Sequence, residues 1–478
     1  MPHEIHDTTR PKHLQGEQAA DDWTKEVVPR LPAQLEAQAK KFKGFERSRK
    51  IVCATDLLRG LLAYVYTVHS FQHLSMWSVL IGLGDVSAND WRKRLRKTSD
   101  WLDWLLQEVL AMAVLVSPWL VRTGLRRILL IDGTHWKCLG PKGIVMRAHT
   151  AFDLLAGRLT QVKVTDCKEG EHLEIFDLQQ GDLVVTDRAN GLRERVAFVL
   201  CKLAHIIVRI TPRMFPMQDE HGASISVVDW LKGLQAPDGA IFSRPVWIRS
   251  AHKQIKLRLI ALRLSEEQQK KAERRTKRKA SKNQKKVHPN TLYLSGWVLV
   301  VTTLPQEQWT DQQILRLYQA RWHIELLFKR IKQLLKRQSL RCKTVATAKP
   351  TITALLLGWA LLEQESAAVR LAMRDAMHCA QQIKQGKPLG KLITAASWWQ
   401  DDLDDPLSEW MLAEACFDLL CHQIRGNYTA ERFRACLPRL QRFLCSGHRK
   451  RPHLYTQVSR WLGVPATKPG DGDRAMIA

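Results

Sequence analysis

Residues 126–210 hold a succession of apolar runs that fixes most of what this chain can fold into. The runs are "RRILLIDGTHW" (126–136), "IVMRAHTAFD" (144–153), "LTQVKVTD" (159–166), "GDLVVTDRANG" (181–191) and "HIIVRI" (205–210). Short segments rich in Val, Ile and Leu and closed by Gly, Asp or Asn read as strands with their turns. "LLAGR" (154–158) reads as the turn between the second and third strands, and "LRERVAFVLCKLA" (192–204) as a helix before the fifth. The order strand, strand, strand, strand, helix, strand predicts an α/β protein, a mixed sheet with helices on its faces.

The flanks read differently. Residues 1–120 have helical spacing, as in "ATDLLRGLLAYVYTV" (54–68). Ser87, three residues before Asp90, is placed to cap a basic helix over Trp91–Arg96, a feature suited to a DNA-docking module or to a solvated amphipathic helix. Beyond 210, "RPVWIRS", "QIKLRLIALRL" and "GWVLVVTTL" are strand-like. Between the last two lies "KKAERRTKRKASKNQKK" (270–286), ten basic residues against one acid. A block of like charge is expected to be disordered or loop-like, either merely solvated or laid against a phosphate backbone. A long helix is expected from Asp311 to about Leu340, and helices from there through "RFLCSGHRKRPHLYTQVSRWLG", with a frayed tail from Pro465.

Charge narrows the partners. A formal net charge of +27 over 478 residues favours nucleic acid or an anionic surface, although it says nothing about fold. The ten cysteines lack paired metal-ligand spacing and read as reduced core thiols of an intracellular, cytoplasmic protein. "MPHEIHDTTRPKHLQGEQ" has no signal-peptide core, and the best apolar run, "ALLLGWALL" (354–362), is too short to span a bilayer, so no membrane partner is expected.

Candidate chemistry gathers on one helix and two strand ends. Between Gln312 and Lys349 there are ten Lys and Arg residues and a single acid, Glu325. On one straight helix Tyr318, Arg321, Glu325 and Lys332 fall within roughly 60° of each other, beside a buried arc of Leu317, Ile324, Phe328, Ile331 and Leu335. Alone, this could be a surface ion-pair ladder. Asp132 and Asp187, however, each end an apolar strand, where mixed α/β sheets place their chemistry, although both also suit turns. Three carboxylates brought together repel unless a cation lies between them, and hard oxygen ligands select magnesium or manganese.

These residues resemble the DDE transposases of bacterial insertion sequences, and within them the insertion-sequence-four family. Its signature Y-x2-R-x3-E-x6-K is matched by Tyr318, Arg321, Glu325 and Lys332 at every spacing, and its two aspartates fall on Asp132 and Asp187. The resemblance covers roughly residues 85–340. It implies a ribonuclease-H-like catalytic core (121–210 and 306–345) interrupted by a β-rich insertion (211–305), between a helical DNA-binding region (1–120) and a helical C-terminal region (346–478). It further implies two Mg²⁺ ions, with Mn²⁺ possible, held by Asp132, Asp187 and Glu325. The partners it implies are double-stranded DNA, both element ends and target, and a second copy of the chain in a homodimer. The activity it implies is cut-and-paste transposition through a hairpin. Tyr318, Arg321, Lys332, Arg188 and Arg209 would contact DNA, Trp297 would stack on a flipped base, and Trp322 matches the aromatic beside the signature Arg. Core packing remains open for both tryptophans. The sequence departs from some relatives after the second aspartate, where Ala189-Asn190-Gly191 follows Arg188 in place of an acid. An inactive DNA-binding inhibitor derived from a transposase, and a nuclease without strand transfer, are the other readings.

Overall fold

The computed structural model describes residues 22–112, 124–139, 143–250, 253–335, 339–384 and 408–426, together with 457, 461 and 462. Its strands are β1 (Arg127–Cys138), β2 (Val145–Asp153), β3 (Arg158–Asp166), β4 (Asp182–Thr186), β5 (His205–Arg209), β6 (Ile241–Ser250), β7 (Lys253–Arg263), β8 (Trp297–Thr302) and β9 (Ser339–Leu340). Among the described residues they form one sheet in the order β3-β2-β1-β4-β5-β8-β7-β6, with β9 added beside β1. β1, β2 and β3 are antiparallel, whereas β1, β4 and β5 run parallel. A parallel neighbour needs a crossover, and the helix between β4 and β5 supplies it.

The helices are α1 (Leu35–Lys41), α2 (Ala54–Ala63), α3 (Phe71–Leu80), α4 (Ala88–Lys97), α5 (Ser99–Met112), α6 (Arg193–Cys201), α7 (Val227–Lys232), α8 (Glu266–Lys282), α9 (Pro289–Ser295), α10 (Asp311–Ala320), α11 (Trp322–Leu334), α12 (Val345–Lys384) and α13 (Glu409–Arg425). They cover both faces of the sheet, which explains why the central strands are apolar without alternation. Ile128 and Leu130 of β1, Leu183 and Val185 of β4 and Ile207 of β5 face a core shared with α2, α5, α10, α11 and α12. Leu129 and Ile131, Val184, and Ile206 and Val208 face a second core with α6 and α7.

Several expectations hold. Ser87 accepts from the Asp90 backbone N–H and caps α4. β6, β7 and β8 coincide with the three strand-like pieces beyond residue 210. The predicted helix over 54–68 is α-helical to Ala63 and ends in a wider π-turn to Val68.

Others are corrected. The basic block is helical as far as Lys282, within α8, which Ser265 caps, because its Glu, Gln, Lys, Arg and Ala are good helix formers that outweigh mutual repulsion. The long helix from Asp311 breaks at Arg321, where i−3 bonds from Arg321 N–H to Tyr318 O and from Ile324 N–H to Arg321 O tighten the turn. It ends at Leu334, and Ser339–Leu340 pair with Lys137–Cys138 as β9. The apolar stretch at 354–362 belongs to a longer one. Residues 345–370 are long and apolar enough to cross a membrane by length and composition, yet 83% of that stretch's most apolar window is packed inside the protein. Cys138, Cys342 and Cys416 are buried thiols as expected, but Cys167 and Cys201 are exposed. The expectations for the N-terminal 21 residues, for most of 442–463 and for the tail lie outside the described residues.

Candidate active site

Strand register builds the site. β1 and β4 pair as far as Ile131 and Thr186, and β4 and β5 as far as Thr186 and Val208. The next residues are Asp132, Asp187 and Arg209. With parallel strands about 4.8 Å apart, two carboxylates and a guanidinium follow one another across three neighbouring strands. Ile131 and Val208 point into the second core, so alternation turns Asp132 and Arg209 toward the face covered by α10 and α11. Asp132 does not end its strand, as the sequence suggested. β1 runs on to Cys138 because β2 pairs with it throughout, and only the parallel pairing to β4 stops before Asp132. Asp187 does lie just past its strand, and its Oδ1 accepts from Ala189 N–H, starting the short 3₁₀ turn Arg188–Asn190. Gly191 follows because a Cβ there would come within 2.7 Å of the Arg209 carbonyl oxygen.

The break at Arg321 gives the signature its geometry. Arg321 Nη1 donates to Asp132 Oδ2 at 3.0 Å, and Nη2 to Glu325 Oε1 at 2.5 Å. One guanidinium therefore bridges two of the three carboxylates. Burial pushes Asp132 up to about 6; Gly133 N–H and Arg321 oppose the shift, and Asp187 and Glu171 add to it. Among the described residues no three His, Cys, Asp or Glu side chains are spaced to hold a metal. Glu325 meets Asp132 through Arg321. The donor set is nonetheless the kind a hard cation takes: all oxygen and partly buried, with Asp132 and Glu325 already held on one positive charge and Asp187 on the neighbouring strand.

The other signature residues sit around this centre. Tyr318 is near enough to influence both Arg188 and Arg321 electrostatically. Desolvation and the nearby charge of Arg209 both lower Arg188, while Tyr318 and Asp187 oppose the shift. Lys332 donates to Thr134 Oγ1 at 2.7 Å and to the His135 carbonyl at 2.9 Å, with its ammonium over the Trp136 ring. These bonds fasten α11 to the outer part of β1. Two of the three ammonium protons are engaged there, so the phosphate clamp expected from the signature is left with one.

Residues 123–361 match the family model described as "Transposase DDE domain". The chain is also similar to the putative transposase InsL of insertion sequence element IS186A from Escherichia coli K12, 31% identical over 341 residues, covering 70% of this chain and 90% of the relative. It is likewise similar to the transposase of insertion sequence element IS421 from Escherichia coli, 31% identical over 342 residues with the same coverage. The chain belongs to the DDE transposase family. It is thus an enzyme that acts on DNA, related to insertion-sequence-four elements, and domains of this family generally use divalent metal ions.

Two features of this transposase depart from the sequence reading. Trp297 does not present a platform for a base. It begins β8 with 2% exposure, its ring among buried side chains, tilted against Phe242 and under the Arg263 guanidinium. The apolar strand pairing of β7 and β8 carries it inward. Trp322 is 51% exposed at the start of α11, next to Arg321. The second departure is an acid the sequence reading missed. Glu171, in the loop after β3, lies against the transposase's first aspartate: a Cβ on Gly133 would meet Glu171 Oε1 at 3.0 Å, and Arg147 Nε stands 3.7 Å from the same oxygen. Only its place in an acid-rich loop, "KEGEHLEIFD", could have drawn notice, since nothing in that spacing points to Asp132.

Proposed function

We propose that this transposase cuts and joins DNA at the inverted-repeat ends of an insertion sequence, using Asp132, Asp187 and Glu325 with two Mg²⁺ ions, or Mn²⁺ in their place. The observation that carries this is the bridging of Asp132 and the helix-borne Glu325 by one guanidinium, with Asp187 on the adjacent strand just past its pairing to β1. Bound divalent ions supply an activated oxygen nucleophile and stabilise the oxygen leaving phosphorus. The rest falls to side chains of the chain itself. Arg321 cannot hold two carboxylates and a phosphate with the same N–H groups, so an incoming phosphate competes for it and frees Asp132 and Glu325. Arg188 and Arg209, two like charges in proximity, are relieved by the same anion. Tyr318 hydrogen-bonds a phosphate, and Lys332 adds its remaining N–H. After water cuts the strand, the freed 3′-hydroxyl attacks the opposite strand to close a hairpin, water reopens it, and the 3′-end joins target DNA. With Trp297 buried, Trp322 is the aromatic beside the site that a displaced base can reach.

The strand order β3-β2-β1-β4-β5 supports a ribonuclease-H-like core in two parts, 121–210 and 306–345, around the insertion 211–305. In this reading residues 1–120 dock DNA, 346–478 form the helical C-terminal region, and two copies pair the two element ends. A supercoiled donor plasmid carrying inverted repeats tests the whole. Wild-type protein is expected to nick and join. Asp132→Ala, Asp187→Ala and Glu325→Ala should each abolish nicking while end binding is kept, since affinity rests mainly on Lys and Arg. Nicking without joining would make the chain a nuclease; binding without nicking would make it an inhibitor.

A further inference from the structure

Helix α8 crosses from β7 to β8, and its surface is divided sharply. Gln269, Ala272, Glu273, Thr276 and Ala280 form the half-buried stripe that leans on the protein, and Gln269 reaches to Gly296, where a Cβ would lie 2.8 Å from its Oε1. The remaining arc exposes Lys270, Lys271, Arg274, Arg275, Lys277, Arg278, Lys279 and Lys282. Lys270 pairs with Glu266 at 2.5 Å. Among the described residues the other seven have no acidic partner. Like charges four apart on a helix repel by a few tenths of a kcal/mol per pair, and the series 270, 274, 278, 282 and the series 271, 275, 279 both keep that repulsion. A row of phosphates would relieve it.

Topology says which phosphates. β8 is antiparallel to β5 with Val300 opposite Arg209, and β7 is antiparallel to β8 with Arg263 opposite Trp297. Chain leaving β7 and entering β8 therefore does so at the same edge of the sheet as Asp132, Asp187 and Arg209. β7 lies three strands from β4, and Trp297 lies three residues beyond the Arg209 row. At about 4.8 Å per strand and about 3.4 Å per residue, α8 begins roughly 15–20 Å from the carboxylates. Its 17 residues extend about 25 Å.

We infer that α8 is a sequence-independent clamp on the backbone of the same DNA duplex that enters the catalytic site, gripping it about five base pairs from the cut. This rests on the proposed catalytic site only for its position on the duplex. The test uses full-length protein with Lys271, Arg274, Arg275 and Arg278 all replaced by Gln, a helix former, and a charge-keeping control, Lys271→Arg with Lys277→Arg. Circular dichroism and melting should match wild type. The slope of log affinity against log salt should become shallower by up to about 3.6, at roughly 0.9 for each of four lost phosphate contacts, equally for end DNA and scrambled duplex, and the control should keep it. Hydroxyl-radical footprints should lose protection on one flank, beginning about five base pairs from the nick, with the nick position unchanged. An unchanged slope, or a loss seen with single-stranded RNA and not with duplex DNA, overturns the clamp. If wild-type protein fails to nick in Mg²⁺ while the variant still changes the slope, the catalytic reading fails and the clamp stands. If wild type nicks and the slope does not move, the reverse holds.

Discussion

Asp132 and Trp297 show how differently one side chain's surroundings can be read. The aspartate was legible because it closes an unbroken apolar run, although the strand itself continues to Cys138; its neighbours Arg321 and Glu171, from far along the chain, were not both legible. Arg321 belongs to a spaced motif, whereas Glu171 approaches through a loop whose path only the folded chain defines. The indole of Trp297 lies in the core, and burial depends on what β7 and β8 pair with, which local spacing does not state. Trp297→Ala is therefore expected to cost about 3–5 kcal/mol of stability. Thermal unfolding should show a lowered melting temperature, and nicking and joining should decline together. A variant that melts like wild type but stalls after nicking would return the ring to a DNA-stacking role.

The elements that hold the site are tied by a few polar contacts over broad apolar ones. Ile324, Leu327, Phe328 and Ile331 bury one side of α11, and this periodicity was plain in the sequence. The break at Arg321 was not, because the i−3 bonds that make it leave the apolar pattern unchanged. At the other end of the pair, Arg258 of β7 donates to Asp311 Oδ1 at 2.9 Å and anchors the start of α10. Lys332 does the same for α11 on β1. Lys332→Met keeps the stem over Trp136 but loses two hydrogen bonds, at a cost of roughly 1–3 kcal/mol. The expected result is a lower melting temperature and slower nicking, with the salt dependence of DNA binding changed by no more than about one. A larger change in that slope would place the ammonium chiefly on phosphate.

At the scale of the molecule, the class of fold and the order of its first five strands could be read from patterning alone, because strands buried on both faces are written as continuous apolar runs. The joining of β6, β7 and β8 to the same sheet could not, since pairing partners far apart in sequence leave no local mark. That single sheet makes global stability respond to groups buried within it. Burial lowers His149 to about 4 from an ordinary 6.5, while its imidazole meets Thr165. The unfolded chain takes up that proton first, so the contribution of His149 is present above pH 6.5 and is lost as pH falls through 4. Asp153, raised by burial to about 6, acts the other way, stabilising below about 4 and losing that contribution as pH rises through 6. His149→Gln should remove about 3 kcal/mol of the acid-side fall, seen as a flatter denaturation midpoint between pH 4 and 6.5. An unchanged pH profile would mean that this ring is not held neutral by its site.

The β5–β8 pairing also sets a timetable for synthesis. When β5 leaves the ribosome, one of its edges has no strand to meet, because β8 follows about 90 residues later, a delay of about 5–20 s at bacterial or eukaryotic elongation rates. Through that interval Ile206, Ile207 and Val208 present open backbone groups of the kind that seed aggregation. The yield of folded protein is thus set partly by how fast a nascent chain can cover one strand, and chaperones that shield such edges become a determinant of how much of it survives synthesis.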